Sequence, residues 1–294
     1  MTARREDAPI PATLLEIYRA SPDGLAWLER LPHLLRDLEQ RWSLTVGPPF
    51  DGAEVSTAWV APVRCADGSS AVLKVVFPHM EGKHEIAGLR VWDGDGTVRV
   101  LEADESVWAM LLERCEPGTR LRSLPEDEQD VVIAALLRRL WLEPPAHHQF
   151  RQLSVMVESW VEETLVDEAR WPDPGLVREG LGVFAELVQA RAADDEVLLA
   201  TDLHAGNVLS AKREPWLVID PKPFVGDPAY DATQHLMNCE ARMHTAPHET
   251  IARFAGLLDI DTDRVRLWMF ARSAAERRDE GNDDWMALAR TLAL

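Results

Sequence analysis

Residues 200–231 read ATDLHAGNVLSAKREPWLVIDPKPFVGDPAYD, and the rest of the chain is best understood outward from them. Two short apolar runs, EVLLA and WLVID, bracket a polar segment, and NVLSA and WLVID read as a hairpin across Lys212-Arg213-Glu214-Pro215. Asp202 and Asn207 stand five residues apart, a spacing that fits a loop turning a carboxylate toward an acceptor while the asparagine carbonyl reaches a metal ion. Asp220 closes the strand WLVID. Hard oxygen donors suit Mg2+, which takes one or two carboxylates and completes its shell with phosphate oxygens and water. Phosphoryl transfer asks for that set, together with a cation on the nucleotide phosphates and an anchor for the cation. Downstream, Gly226-Asp227-Pro228 starts a helix, with Asp227 as its cap.

Upstream, apolar residues between 13 and 44 recur at three- and four-residue spacing. They predict a helical preface broken near Ser21-Pro22-Asp23-Gly24 and bent at Pro32. STAWVAPV and SSAVLKVVF flank Asp67-Gly68, a hairpin turn signal, and read as two antiparallel strands. MEGKHEIAGLRVW has helical composition and stops at Asp93-Gly94-Asp95-Gly96; VRVLEAD and SVWAMLLERC follow as two more strands. The order strand, strand, helix, strand, strand predicts a small antiparallel sheet carrying one helix. After Glu116-Pro117-Gly118 the pattern is mainly helical. Ser123-Leu124-Pro125-Glu126 reads as a helix start with Ser123 as cap, and that helix runs to about Trp141. Further helices are predicted near 153–169, between Pro174 and Ala193, and from Asp227 to the C-terminus.

Composition narrows the function. A chain of 294 residues with 46% hydrophobic content builds a sizeable core. A formal charge of −19 argues against a nucleic-acid partner, which demands a basic face, and permits a cationic substrate. No apolar run is long enough to span a bilayer, and MTARREDAPIPATLL lacks the apolar core of a signal peptide, so a cytoplasmic protein without a membrane partner is expected. Cys65, Cys115 and Cys239 are widely spaced with no CxxC, which speaks against structural zinc.

DLHAGN followed by LVIDPKPFVGDPAYD resembles the catalytic core of the aminoglycoside phosphotransferase group within the protein-kinase-like fold. LLERCEPGTRL and WDGDGTVRVL are most similar to its streptomycin/hydroxyurea branch. The resemblance covers about residues 45–240. It implies a bilobal α+β fold: a helical extension over 1–44, an N-lobe over 45–115 binding nucleotide phosphates, and a helical C-lobe over 116–294 with catalytic loop and acceptor site. By matching position it makes Asp202 the catalytic base and Asn207 and Asp220 the Mg2+ ligands, with ATP as donor.

The resemblance also implies a strand lysine on the nucleotide phosphates, and Lys74 in AVLKVVF stands where one is expected. Glu85 in the following helix is its natural partner, with Glu81 one turn earlier as rival. The segment Leu112–Gly118 would connect the lobes, with the Glu113 carbonyl and the Cys115 amide holding adenine by analogy. The phosphate-covering loop departs from the pattern: Gly47-Pro48-Pro49-Phe50-Asp51-Gly52-Ala53-Glu54 has only two glycines, and Asp51 repels phosphate unless it faces away. Gly52, Ala53, Ser56 and Thr57 remain small enough to bring backbone N–H groups close to phosphate. Ala200-Thr201 stands where such phosphotransferases often carry His-Gly. His204 reads as a loop post, Asp231 as the tether of the catalytic loop by resemblance, and Lys222 as either a phosphate contact or a charge balance for Asp220.

Two acidic clusters, Glu158, Glu162, Glu163 and Asp167, and Glu276, Asp279, Glu280, Asp283 and Asp284, suit a guanidinium- or amine-bearing acceptor or are simply solvated faces; Arg277 and Arg278 favour the latter for the second. The expected activity is therefore ATP- and Mg-dependent phosphorylation of a hydroxyl on a small, streptomycin-like molecule or on hydroxyurea. A kinase of an ordinary metabolite such as an amino sugar, and an inactive nucleotide-binding scaffold, are the alternatives.

Overall fold

The computed structural model describes residues 9–52, 57–189, 195–275 and 282–293, with side chains left out at 282 and 283. The chain divides into two compact units, one running to Thr119 and including Leu209–Leu217, the other made of Arg120–Val208 and Val218 onward.

The first unit opens with α1 (Ala12–Tyr18) and α2 (Pro22–Arg41). The break between them falls where the sequence puts it: the Ser21 hydroxyl accepts the Gly24 N–H at 3.0 Å, with Pro22 in the first turn. Pro32 is accommodated inside α2. A short strand β1 (Thr45–Val46) precedes the hairpin β2 (Ala58–Arg64) and β3 (Ser70–Val76). Arg64 pairs with Ser70 across the turn, and Gly68 sits at φ +84°, a left-handed conformation natural to glycine. After α3 (Glu85–Trp92) come β4 (Val100–Asp104) and β5 (Ala109–Glu113), and the antiparallel sheet has the order β1-β2-β3-β5-β4.

Strand alternation decides what this sheet presents. Trp59, Ala61 and Val63 of β2 and Ala71, Leu73 and Val75 of β3 join Leu14, Trp27, Leu31, Leu35 and Leu38 in one buried cluster. Each leucine buried there contributes about 1.5–3 kcal/mol. Lys74, between Leu73 and Val75, is thereby turned to the opposite face, opposite Val60 and Met110 in the register. A one-residue slip would exchange the two faces.

The second unit is mostly helical: α4 (Glu126–Leu140), α5 (Leu153–Val166) and α6 (Pro174–Gln189) come first. Four short strands follow along the chain, β6 (Val197–Leu199), β7 (Val208–Ser210), β8 (Trp216–Val218) and β9 (Phe224–Gly226), and of these β7 and β8 lie largely in the Leu209–Leu217 stretch that belongs to the first unit. Then come α7 (Pro228–Met237), α8 (Glu240–Thr245), α9 (Pro247–Leu258), α10 (Thr262–Ala275) and α11 (Asn282–Leu292). β7 and β8 form the expected hairpin, while β6 pairs antiparallel with β9, Leu199 opposite Phe224. Phe184, Tyr230 and Trp268 form an aromatic centre with ring separations of 6.0 and 5.3 Å about Trp268. One expectation is corrected: Ser123 does not cap α4. Its hydroxyl donates to Arg120 O at 2.8 Å, and Pro125 occupies the cap position without a side-chain bond. None of the helices among the described residues is long and apolar enough to cross a membrane.

Candidate active site

In the first unit, Lys74 Nζ meets Glu85 Oε1 at 2.6 Å, with the lysine 4% and the glutamate 0% exposed. Burial of both charges requires such a pair, since either alone in this setting is costly. Glu85 is the first residue of α3; the rival Glu81 lies in the preceding 3-10 turn.

The loop before β2 is tied down from both sides. Gly47 and Phe50 donate their N–H groups to Pro62 O and Val60 O, each at 2.8 Å. Asp51 turns its carboxylate to the start of α1, accepting Thr13 Oγ1 at 2.8 Å and the Ala12 N–H at 3.3 Å. Of the small residues considered for phosphate contact, Ala53 and Ser56 lie outside the described residues, as does Glu54.

Glu113, at the end of β5, has its carboxylate held by Arg213 from the tip of the β7–β8 hairpin. The Arg213 Nε and Nη2 atoms donate to its two oxygens at 3.0 and 2.9 Å, and the same guanidinium donates to Gly94 O at 2.7 Å and Thr97 O at 2.8 Å. Burial acts to raise the Glu113 carboxyl, but the Arg213 and Arg99 donors outweigh it and hold it below its ordinary value. Burial, with Glu113 nearby, pushes the Cys115 thiol up to about 11, so it stays protonated and inert.

In the second unit, the loop that carries Asp202 is anchored through its backbone. Asp231, fully buried on α7, accepts the Thr201 N–H at 2.6 Å on one oxygen and the Ala200 N–H at 2.9 Å on the other, with the Trp141 indole at 3.1 Å. Burial is the largest influence on its carboxyl, which is pushed up to about 6 in spite of these donors. Thr201 adopts φ +48°, an uncommon state for a β-branched residue, at the place where the pattern often has glycine. Its hydroxyl donates to Lys222 O at 2.5 Å, and the Lys222 N–H returns to Ala200 O at 2.8 Å, so the segments carrying Asp202 and Asp220 are stitched together.

The Asn207 amide nitrogen donates to Asp202 O at 3.0 Å and lies 3.4 Å from Asp202 Oδ2, so the nitrogen end of the amide, and not Oδ1, faces Asp202. Ile219 N–H donates to Asn207 O at 2.9 Å, setting Asn207 beside the residue that precedes Asp220. Asp220 itself sits at φ +54°, with Lys222 Nζ 2.5 Å from its Oδ1, so charge balance is the role of Lys222 that the structure displays. A side-chain carbonyl and a carboxylate are hard donors, and this pair fits Mg2+. His204 Nδ1 accepts the Gly206 N–H at 3.1 Å, a post within the loop. A Cβ at Gly206 would meet Arg122 Nη2 at 2.2 Å, so a larger residue there requires the flexible end of the Arg122 side chain to shift.

Sequence reasoning missed a buried polar network elsewhere in the second unit. Asp130 of α4 takes His235 Nε2 at 2.8 Å, Arg242 through both terminal nitrogens at 2.8 Å, and Arg253 Nε at 3.0 Å. Burial acts to raise its carboxyl, yet Arg242, His235 and Arg253 prevail and hold it well below the usual carboxylate range. Asp130, His235 and Cys239 approach one another closely enough to suggest a metal, but the two guanidiniums on the carboxylate already supply its positive charge. His235 on α7 and Cys239 just before α8 are four apart in sequence; their partner Asp130 is more than a hundred residues distant and leaves no local signal.

A sheet unit with a buried lysine–glutamate pair and a helical unit with a D-x-x-x-x-N loop and an aspartate two residues beyond β8 define a phosphotransferase of the protein-kinase-like fold. A solved choline kinase from Streptococcus pneumoniae matches with a TM-score of 0.59 over 88% of this chain and 97% of that one, at 15% identity, a likeness of fold alone. The profile of the aminoglycoside/hydroxyurea antibiotic resistance kinases matches residues 41–281. The chain belongs to that family. It is 38% identical over 275 residues to a streptomycin 6-kinase of Streptomyces griseus, covering 90% of this chain and 88% of the relative. A hydroxyurea phosphotransferase of Kitasatospora aureofaciens is 35% identical over 288 residues, covering 95% and 82%.

Proposed function

We propose that this chain transfers the γ-phosphoryl group of ATP to a hydroxyl of a streptomycin-like aminoglycoside. The observation that carries the reading is the built catalytic loop, with Asp202 held beside Asn207 in a chain that resembles streptomycin 6-kinases along most of its length. Asp202 orients the acceptor hydroxyl for in-line attack and accepts its proton late, since the transition state is loose. Asn207 and Asp220 hold magnesium. Lys74, braced by Glu85, neutralises nucleotide phosphates, and the main chain at Glu113 and Cys115 contacts adenine. Magnesium supplies charge neutralisation on the phosphates as they transfer.

The acidic balance of the chain favours a guanidinium-bearing acceptor. The likeness to a hydroxyurea phosphotransferase supports a second reading, in which the small hydroxamate-like compound is the acceptor. The test is ADP release with streptomycin, other aminoglycosides, hydroxyurea and amino sugars, each with Mg·ATP. Stimulation by streptomycin is expected; stimulation by hydroxyurea alone selects the second reading. ATP binding with no stimulation by any acceptor contradicts both and favours the scaffold.

A further inference from the structure

The side chain of Asp202 is held from outside its own loop. Gln234, on α7, donates from Nε2 to Asp202 Oδ1 at 2.9 Å and accepts on Oε1 from Arg272 Nη2 at 3.2 Å. Arg272, on α10, is 3% exposed; it also donates to Thr233 Oγ1 at 2.7 Å, and its guanidinium lies over the rings of Trp160 and Tyr230 at 5.3 and 5.1 Å.

The direction of the Gln234 amide follows from its neighbours. A guanidinium only donates and an ionised carboxylate only accepts, so the amide oxygen faces Arg272 and the amide nitrogen faces Asp202. The reverse orientation would set donor against donor at one end and acceptor against acceptor at the other. The amide dipole is therefore aligned between a fixed cation and the carboxylate, and each bond polarises the next. Gln234 is also three residues beyond Asp231, hence on the same side of α7. One helix thus grips the catalytic loop twice, by its backbone at Thr201 and by its acidic side chain at Asp202.

We propose that Gln234 is a positioning residue for Asp202, with Arg272 fixing Gln234 in the donating orientation, so that the carboxylate is held in one rotamer for the acceptor hydroxyl. This rests on the reading of Asp202 as the base. A misplacement of about 1 Å at a reacting group costs on the order of 100-fold in rate, so loss of this donor lowers turnover without touching the nucleotide.

Gln234→Glu separates this from a structural role. The glutamate keeps the shape of the side chain and a stronger bond to Arg272, but it offers Asp202 no donor and a like charge. Measured on streptomycin with saturating Mg·ATP, Gln234→Glu is expected to lower kcat about 10–100-fold while the melting temperature and the KM for ATP hold. Gln234→Met, neutral and of similar size, is expected to lower kcat likewise. If Gln234 merely satisfies Arg272, Gln234→Glu stays active and stable, and that result overturns the proposal. Should Gln234→Glu melt early, near wild-type kcat in Gln234→Met overturns it equally. Asp202→Ala measured alongside keeps the two claims apart: retained turnover there refutes the base assignment and the proposal with it. Lost turnover there with a fully active Gln234→Glu refutes the positioning alone. A wild-type protein inert toward streptomycin, hydroxyurea and every other acceptor tested overturns both.

Discussion

Asp231 Oδ1 accepts the N–H of Thr201 at 2.6 Å and so holds a β-branched residue in the left-handed region, at φ +48°, one position before the proposed base. Such a conformation costs on the order of 1–3 kcal/mol and persists where its surroundings over-determine it. Here the second restraint is the Thr201 hydroxyl on Lys222 O.

Thr201→Gly relieves the strain but gives up that hydroxyl bond, so stability should change by less than about 1 kcal/mol. Thr201→Val keeps the strain and leaves Lys222 O short of a donor, so it should lose about 1–3 kcal/mol. Denaturant unfolding of the three proteins checks the order; a neutral Thr201→Val contradicts it.

The raised Asp231 carboxyl fixes a sign for pH dependence. Between its ordinary value of 3.8 and about 6 the folded chain holds a proton that the unfolded chain has released. The contribution of this group to stability is therefore fully present below the unfolded value and is lost as pH rises through about 6. Compared with Asp231→Asn, the wild-type protein should gain about 2 kcal/mol of relative stability from pH 7 to pH 4. A difference that shrinks on acidification contradicts the assignment.

Much of this was legible in local sequence, and the limit was distance along the chain. Asp67-Gly68 gave the hairpin, and Asp227-Pro228 gave the start of α7, where Asp227 Oδ1 accepts the Ala229 N–H at 3.0 Å. These are signals in which the informative residues touch their neighbours in sequence. The β6–β9 pair is different: three-residue strands carry little periodicity, and Val197 finds Gly226 only through packing. Arg213 entered the sequence reading only as part of a hairpin turn, yet it binds Glu113 and two backbone carbonyls. The Gln234–Asp202 bond joins residues 32 apart and had no sequence counterpart. Ser123 carried a cap signature that Pro125 displaced. Of the acidic clusters, Glu158, Glu162 and Glu163 lie along α5, with Glu158 and Glu162 solvated; Glu276, Asp279 and Glu280, with Arg277 and Arg278, lie outside the described residues.

The Lys74–Glu85 pair separates folding from catalysis. Lys74→Met leaves Glu85 buried without this ammonium and should lower both stability, by about 3–5 kcal/mol, and kcat/KM for ATP. Adding Glu85→Gln to Lys74→Met removes the stranded charge and should recover most of the stability and none of the activity. Thermal melts and steady-state kinetics on the same three proteins check it. Recovery of activity with stability would mean that Lys74 serves only the fold.

The role of Asp202 as base is tested most directly by Asp202→Ala, measured for streptomycin-dependent ADP release and for Mg·ATP affinity by calorimetric titration. Turnover should fall at least about 100-fold with nucleotide affinity unchanged, against Asp220→Ala, which loses Mg·ATP affinity itself. Full turnover in Asp202→Ala, or loss of nucleotide binding along with turnover, would contradict that role.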